Sequence, residues 1–263
     1  RGLGDVYKRQ ACGICRYILK RKGIQSMILS LLRNGFSIDV LIGLCASAFV
    51  VFCTMPIHEY AHALVATKLG DDTPRLSGRL TLNPLAHIDI MGAVMILLVG
   101  FGYAKAVPVN PRNFKNPKAG MALTAAAGPI SNLLMSIIFI LLSNVAFIVY
   151  CNTNDSIVAK VTFLFFFYAA MINISLAVFN LIPIPPLDGS RIIGLFIPNK
   201  VYYQIMKYER YIIMVVFLLL AFGWLSTPLS WLTDKVLYGI SWLVSKPFGE
   251  YGDMFMQIVS SAM

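Results

Sequence analysis

Charge is what this sequence has least of. Asp, Glu, Lys and Arg together make up 13% of its 263 residues, against 58% hydrophobic residues and a mean hydropathy of +0.73. An ordinary soluble domain carries about 25% charged residues, so a chain this poor in charge cannot clothe itself for water. The same figures exclude a disordered polymer, a collagen, a coiled coil and a disulfide scaffold. Low-complexity linkers and internal repeats are lacking too, which leaves no room for a separate soluble domain. Acidic residues are scarcer than basic ones, 12 against 22, for a net charge of +10. That excess flanks apolar runs and has no aromatic-and-basic stripe beside it. A lipid bilayer is therefore the expected partner, and no nucleic acid is expected. Of the five cysteines, Cys12 and Cys15 form a CxxC with no second pair at metal-site spacing. Cys45 and Cys53 lie in an apolar run and read as small hydrophobes.

Residues 1–26 differ from the rest. They hold seven basic residues (Arg1, Lys8, Arg9, Arg16, Lys20, Arg21 and Lys22) against one acid, Asp5. No apolar run follows the charges, so they do not form a secretory signal. The segment is read as a non-native or disordered basic leader, with the natural start near Met27. The alternative is a native cytoplasmic extension. Residues 27–263 are read as a single membrane-embedded domain.

A spanning helix needs about 20 mostly apolar residues. Val40 to Ile57 is uncharged and runs into HEYAH, so a helix is expected to continue to about Leu69. Ala119–Asn154 and Val161–Leu187 are uncharged throughout, and Tyr211–Thr233 supplies a fourth span broken near Pro228. Ile90–Ala104, with three glycines in 15 residues, suits a re-entrant or interfacial segment. Val236–Ser245 suits a short partner. The expected fold is an all-α polytopic membrane protein with four transmembrane helices and one or two short or re-entrant segments. Basic residues gather in two stretches: Lys68 to Lys118, and the loop from Asp188 to Arg210. Basic loops belong on the cytoplasmic side, so the first and third long runs descend inward and the second rises outward.

His58-Glu59-Tyr60-Ala61-His62 is an HExxH. Positions i and i+4 of a helix share one face, so both imidazoles can reach one metal, with Glu59 beside them as general base. This is the zincin arrangement. Ionisable groups at the edge of a bilayer are costly and default to function. A catalytic zinc takes three protein ligands, and the candidates for the third are His87 and Asp188. His87 lies in NPLAHID, a loop with no enforced geometry, where a histidine more often makes a local hydrogen bond. Asp188 is the better choice. It ends an uncharged run inside NLIPIPPLDG, where Pro183, Pro185 and Pro186 force the backbone to unwind. Unwound backbone at membrane depth is tolerated only where it is buried in protein or lines a cavity.

HEYAH, GRLTLNPLAHID, AKAVPVNPRNFKNP, AAGPISN and NLIPIPPLDG together resemble, in order and spacing, the site-2 protease family of intramembrane zinc metalloproteases, bacterial type. The resemblance covers roughly Met27 to Phe222. It implies one zinc ion held by His58, His62 and Asp188, with Glu59 as base. It implies hydrolysis of a peptide bond in or beside a transmembrane segment of a membrane-protein substrate. It also implies a multi-pass protein of the cell membrane with its site near the cytoplasmic face. Ala106 stands where many relatives have proline, and no segment resembles the PDZ or CBS domains that some relatives carry.

Asn180, three residues before the proline break, is a candidate for holding the substrate carbonyl or the oxyanion; a helix-capping amide is the alternative. Gly128, Pro129 and Asn132 read as a close helix-packing patch, with Asn132 as a candidate for an interhelical bond. Trp224, Trp231 and Trp242 read as interfacial anchors. The rival functions are a metal transporter and a non-proteolytic metal-binding membrane protein. A transporter would spread polar groups along a path, and neither rival needs Glu59.

Overall fold

A computed structural model of the chain describes residues 38–89, 105–153 and 156–263. The basic leader, the start near Met27 and the expected re-entrant segment Ile90–Ala104 lie outside the described residues. All regular structure among the described residues is helical.

The first rod consists of α1 (Ile38–Phe49) and α2 (Met55–Lys68), joined by a π-helical turn at Val50–Thr54. Pro56 explains the turn. It has no N–H to give the carbonyl one α-turn back, and the ladder slips so that the Met55 N–H bonds to Val50 O. Two short helices follow, α3 (Thr73–Leu76) and α4 (Pro84–His87), then α5 (Pro117–Asn152) and α6 (Ile157–Asn180). Asn116 caps α5 by accepting from the Ala119 N–H, with Pro117 in the first helical position. Ser156 caps α6 in the same way. The short link between the two permits only an antiparallel hairpin, and their mutual packing is the most extensive among the described elements. After α6 come α7 (Asp188–Ile193), α8 (Asn199–Lys207), α9 (Glu209–Ala221), α10 (Ser226–Ser245) and α11 (Glu250–Ala262).

Among the described residues, three rods are long and apolar enough to cross a membrane: Val40–Lys68, Pro117–Asn152 and Ile157–Asn180. On α5 one face stays uncovered along Leu134, Ile137, Ile138, Leu141, Val145 and Val149. That three-and-four spacing is the stripe a bilayer would cover. The opposite face enters an aromatic core, where Phe147 of α5 meets Phe163 of α6 at 5.5 Å between ring centroids. Phe255 of α11 lies 6.1 Å from Phe147, Phe163 and Phe167, so the last helix is bolted to the central hairpin.

The expected fourth span, Tyr211–Thr233, is not one helix. α9 stops at Ala221, and the chain turns at Gly223, whose φ of 76° suits glycine. Pro228 is not the break. It sits in the first turn of α10, where its missing N–H has no helical acceptor to lose. Val236–Ser245, read as a separate short element, is the second half of α10. At about 1.5 Å per residue, the 13 residues of α9 reach about 20 Å, short of a bilayer core.

Just past α2, buried Asp71 accepts hydrogen bonds from Thr73, from the Asn110 N–H at 2.7 Å and from Asn113 Nδ2 at 2.7 Å. It clasps the loop ahead of α5 to the end of the α2 rod. Burial opposes ionisation here, but the hydrogen bonds from Thr73, Asn110 and Asn113 outweigh it. The carboxyl is held below the usual carboxylate range.

Candidate metal centre

His58 and His62 lie one turn apart on α2 and are buried. Their Nε2 atoms approach to 3.0 Å. Asp188, the first residue of α7, brings Oδ2 to 3.5 Å from His58 Nε2 and 3.3 Å from His62 Nε2. Gly189 is what lets the proline-rich loop return this far. A Cβ there would stand 2.2 Å from Leu181 O and 2.4 Å from Ile182 O, so the chain doubles back on the end of α6 with no room for a side chain. Ser190 Oγ fastens the same turn by donating to Leu187 O at 2.7 Å.

The three ligand atoms form the one cluster of metal-ligand type found among the described residues. A metal bound about 2.0–2.1 Å from each of three tetrahedral ligands would separate them by about 3.3 Å. The observed 3.0, 3.3 and 3.5 Å fit that edge length. The space beside them fits as well. A Cβ built on Gly128 of α5 would lie 2.3 Å from His62 Nε2 and 2.5 Å from His58 Cε1, so α5 leaves open, by lacking a side chain, the volume an ion needs.

The outer nitrogens are held by α5. His62 Nδ1 donates to Thr124 O at 2.7 Å, and His58 Nδ1 lies 3.1 Å from the Asn132 carboxamide. Thr124, Gly128 and Asn132 recur every four residues and therefore share one face of α5, turned to the imidazoles. Glu59 is buried next to this cluster, and among the described residues nothing hydrogen-bonds its carboxylate. A buried carboxylate that no described residue hydrogen-bonds stays available to a proton donor. His87 stands apart: its Nε2 donates to Thr81 O at 2.7 Å, and its own carbonyl accepts from the Lys105 N–H. Asn180 is the last residue of α6, where the chain leaves the helix toward Asp188.

Sequence reasoning took Gly128 for close helix packing and Asn132 for a candidate interhelical bond, and the structure agrees with both and supplies the target, the histidines of α2. The Thr124 contact is made by a backbone carbonyl and leaves no mark in the sequence. For Gly128 and Asn132 the signal was there, a glycine and an amide one turn apart on a membrane helix.

Two histidines and a carboxylate that could hold a metal ion, with a buried glutamate beside them, lie among apolar helices as a candidate metal site. The sequence profile of Peptidase family M50 matches residues 142–222. The chain is 42% identical over 178 residues to "Putative zinc metalloprotease YwhC" of Bacillus subtilis, covering 66% of this chain and 79% of that protein. It is 28% identical over 196 residues to "Putative zinc metalloprotease Rip2" of Mycobacterium tuberculosis H37Rv, covering 70% and 71%. No solved structure matches the chain. The chain belongs to Peptidase family M50, the site-2 protease family.

Proposed function

We propose that the protein is an intramembrane zinc endopeptidase that hydrolyses a peptide bond in or next to a transmembrane segment of a membrane-protein substrate. The observation that carries this reading is the triangle of His58, His62 and Asp188 at tetrahedral edge length, with the buried Glu59 beside it. His58, His62 and Asp188 hold the zinc ion. When bound, zinc supplies Lewis-acid polarisation of the attacked carbonyl and its water. Glu59 accepts the proton of the attacking water and passes it to the leaving amine. The two carboxylates offset the two charges of the ion, which lowers the cost of a buried site. Asn180, at the mouth of the unwound Leu181–Leu187 segment, holds the substrate carbonyl.

In this reading the protein is a multi-pass protein of a bacterial cell membrane with its site near the cytoplasmic face. Lys68 ends α2 six residues past His62 and ten past His58, which sets the histidines about 9–15 Å in from a basic rim. Lys68, Arg75, Arg79, Lys105, Arg112, Lys115 and Lys118 all belong to that rim, and basic loops face the cytoplasm. The α9–α10 pair supplies the remaining membrane-embedded segment, the fourth of the set.

Glu59→Gln tests the reading. The amide keeps the shape but cannot take a proton, and losing a general base typically costs about 10²–10⁴-fold in rate. Zinc content should stay at the wild-type level while cleavage of a model membrane substrate is lost. Cleavage at near wild-type rate would refute the assignment.

A further inference from the structure

A neutral imidazole has one ring nitrogen carrying hydrogen and one bearing a lone pair. To serve one metal through Nε2, His58 and His62 must both carry their proton on Nδ1. For His62 this is enforced, because the partner of Nδ1 is a carbonyl oxygen, which only accepts. For His58 the partner is a carboxamide, which can do either. The amide nitrogen Nδ2 stands 3.1 Å from His58 Nδ1, while Oδ1 is buried with no partner among the described residues. In that orientation Nδ2 donates, Nδ1 carries the lone pair, and the His58 proton sits on Nε2. It would then point into the triangle, 3.0 Å from His62 Nε2 and 3.5 Å from Asp188 Oδ2, and block coordination. Turning the amide by half a turn resolves the conflict with metal binding and puts Nδ2 in the place that Oδ1 had. Oδ1 gains the Nδ1–H of His58, and the Nε2 lone pair faces the ligand set.

We infer that Asn132 is the positioning residue for His58, accepting the Nδ1 proton through Oδ1 and so selecting the tautomer that binds metal. The inference rests on the zinc reading above and assigns a task to a residue outside the ligand set. Ligand histidines held by such partners lose about 10–100-fold in metal affinity when the partner is removed. Both ligands are thereby set from a single face of α5, His62 by a main-chain acceptor and His58 by a side-chain one. Asn132 touches neither substrate nor ion.

The test is zinc affinity of the detergent-purified full chain, measured by competition with a chromophoric chelator. Asn132→Leu keeps bulk and removes the acceptor; it should bind zinc about 10–100-fold more weakly. Asn132→Asp is acceptor only; it should stay within a few-fold of wild type. If Asn132 were a simple interhelical donor, the aspartate would fail along with the leucine, and that result overturns the inference. Wild-type affinity in Asn132→Leu overturns it equally. Melting in excess chelator shows whether each variant folds. Should Asn132→Asp not fold, zinc-loaded protein labelled with ¹⁵N-histidine decides. The His58 Nδ1–H proton should lie downfield in wild type and move upfield in Asn132→Leu, and an unmoved resonance counts against the inference. Asp188→Ala and His62→Ala run alongside. If these bind zinc like wild type, the zinc reading itself fails; if they lose it and Asn132→Leu does not, only the role of Asn132 fails.

Discussion

Adding one methyl group to Gly128 is the sharpest test of how α5 meets the HExxH helix. The Cβ of Gly128→Ala would stand 2.3 Å from His62 Nε2 and 2.5 Å from both ring Cε1 atoms, where ordinary contact begins at 3.4 Å. Something must therefore move by about 1 Å. α5 is pinned through the Thr124 carbonyl and the core beneath it, so the imidazoles give way. Metal coordination tolerates errors of about 0.2 Å, and a ring displaced several times that far no longer binds. Zinc affinity should fall by at least the roughly 100-fold seen when an outer-shell partner is lost, and proteolysis should vanish with it. The effect on the helix has the opposite sign, because alanine favours a helix by about 1 kcal/mol over glycine. Metal-free protein should melt within a few degrees of wild type, whereas the rise in melting temperature on adding zinc should disappear. The assay is a pair of melting curves, with chelator and with zinc, beside metal analysis. Full zinc stoichiometry at wild-type affinity in Gly128→Ala would refute the packing of α5 against the histidines.

Three further outcomes are expected. Asp188→Ala should lose zinc, whereas His87→Ala should keep it, since His87 bonds to Thr81 and takes no part in the cluster; metal analysis giving the reverse would exchange their roles. The Asp71 carboxyl is held below its ordinary value, so its stabilising contribution is complete above the unfolded carboxylate pKa of about 3.9 and is lost as pH falls through the lower folded value. Asp71→Asn should be less stable than wild type at pH 7 by about 2 kcal/mol, of the order of one charge-assisted hydrogen bond, and the difference should shrink in acid; a constant difference down to the lowest pH would sink the clasp. A substrate series with glycine near the scissile bond should be cut faster than its alanine counterparts, because a shielded helix must open and glycine lowers that cost by about 1 kcal/mol per site; equal rates with equal binding would mean that unwinding does not limit cleavage.

The proposed ligands were legible because each breaks a local rule, and the structure brings the three together. Two histidines and a glutamate end an uncharged run, and Asp188 follows three prolines that no membrane helix accommodates. Helix existence was legible from hydropathy, and the close of the first rod near Leu69 follows from Gly70, whose φ is 107°. What failed was the stretch after Tyr211. Proline draws the eye as a breaker, yet its cost depends on position: Pro228 in a first turn is harmless, while Gly223 permits the turn that ends α9. The second tier of the site was hidden for another reason. A membrane helix is apolar on every side, so periodicity does not say which face meets which neighbour. Gly128 and Asn132 reveal their targets only when the register of α5 against α2 is known.

The π turn at Val50–Thr54 has a consequence for angle. A π turn carries one residue more than an α turn, and each residue of a helix advances about 100° around the axis. Everything beyond Thr54 is therefore out of phase with α1 by about that angle. Ile38, Leu41 and Cys45 present the outward edge of α1, and continuing their wheel straight through would aim the HExxH at the wrong azimuth. The bulge works as a fixed gear between two demands on one rod, a lipid-facing half and a metal-facing half. Deleting one residue from Val50–Thr54 would leave a membrane helix of nearly unchanged hydropathy. It would also swing His58 and His62 away from Thr124 and Asn132, leaving a span with no enzyme in it.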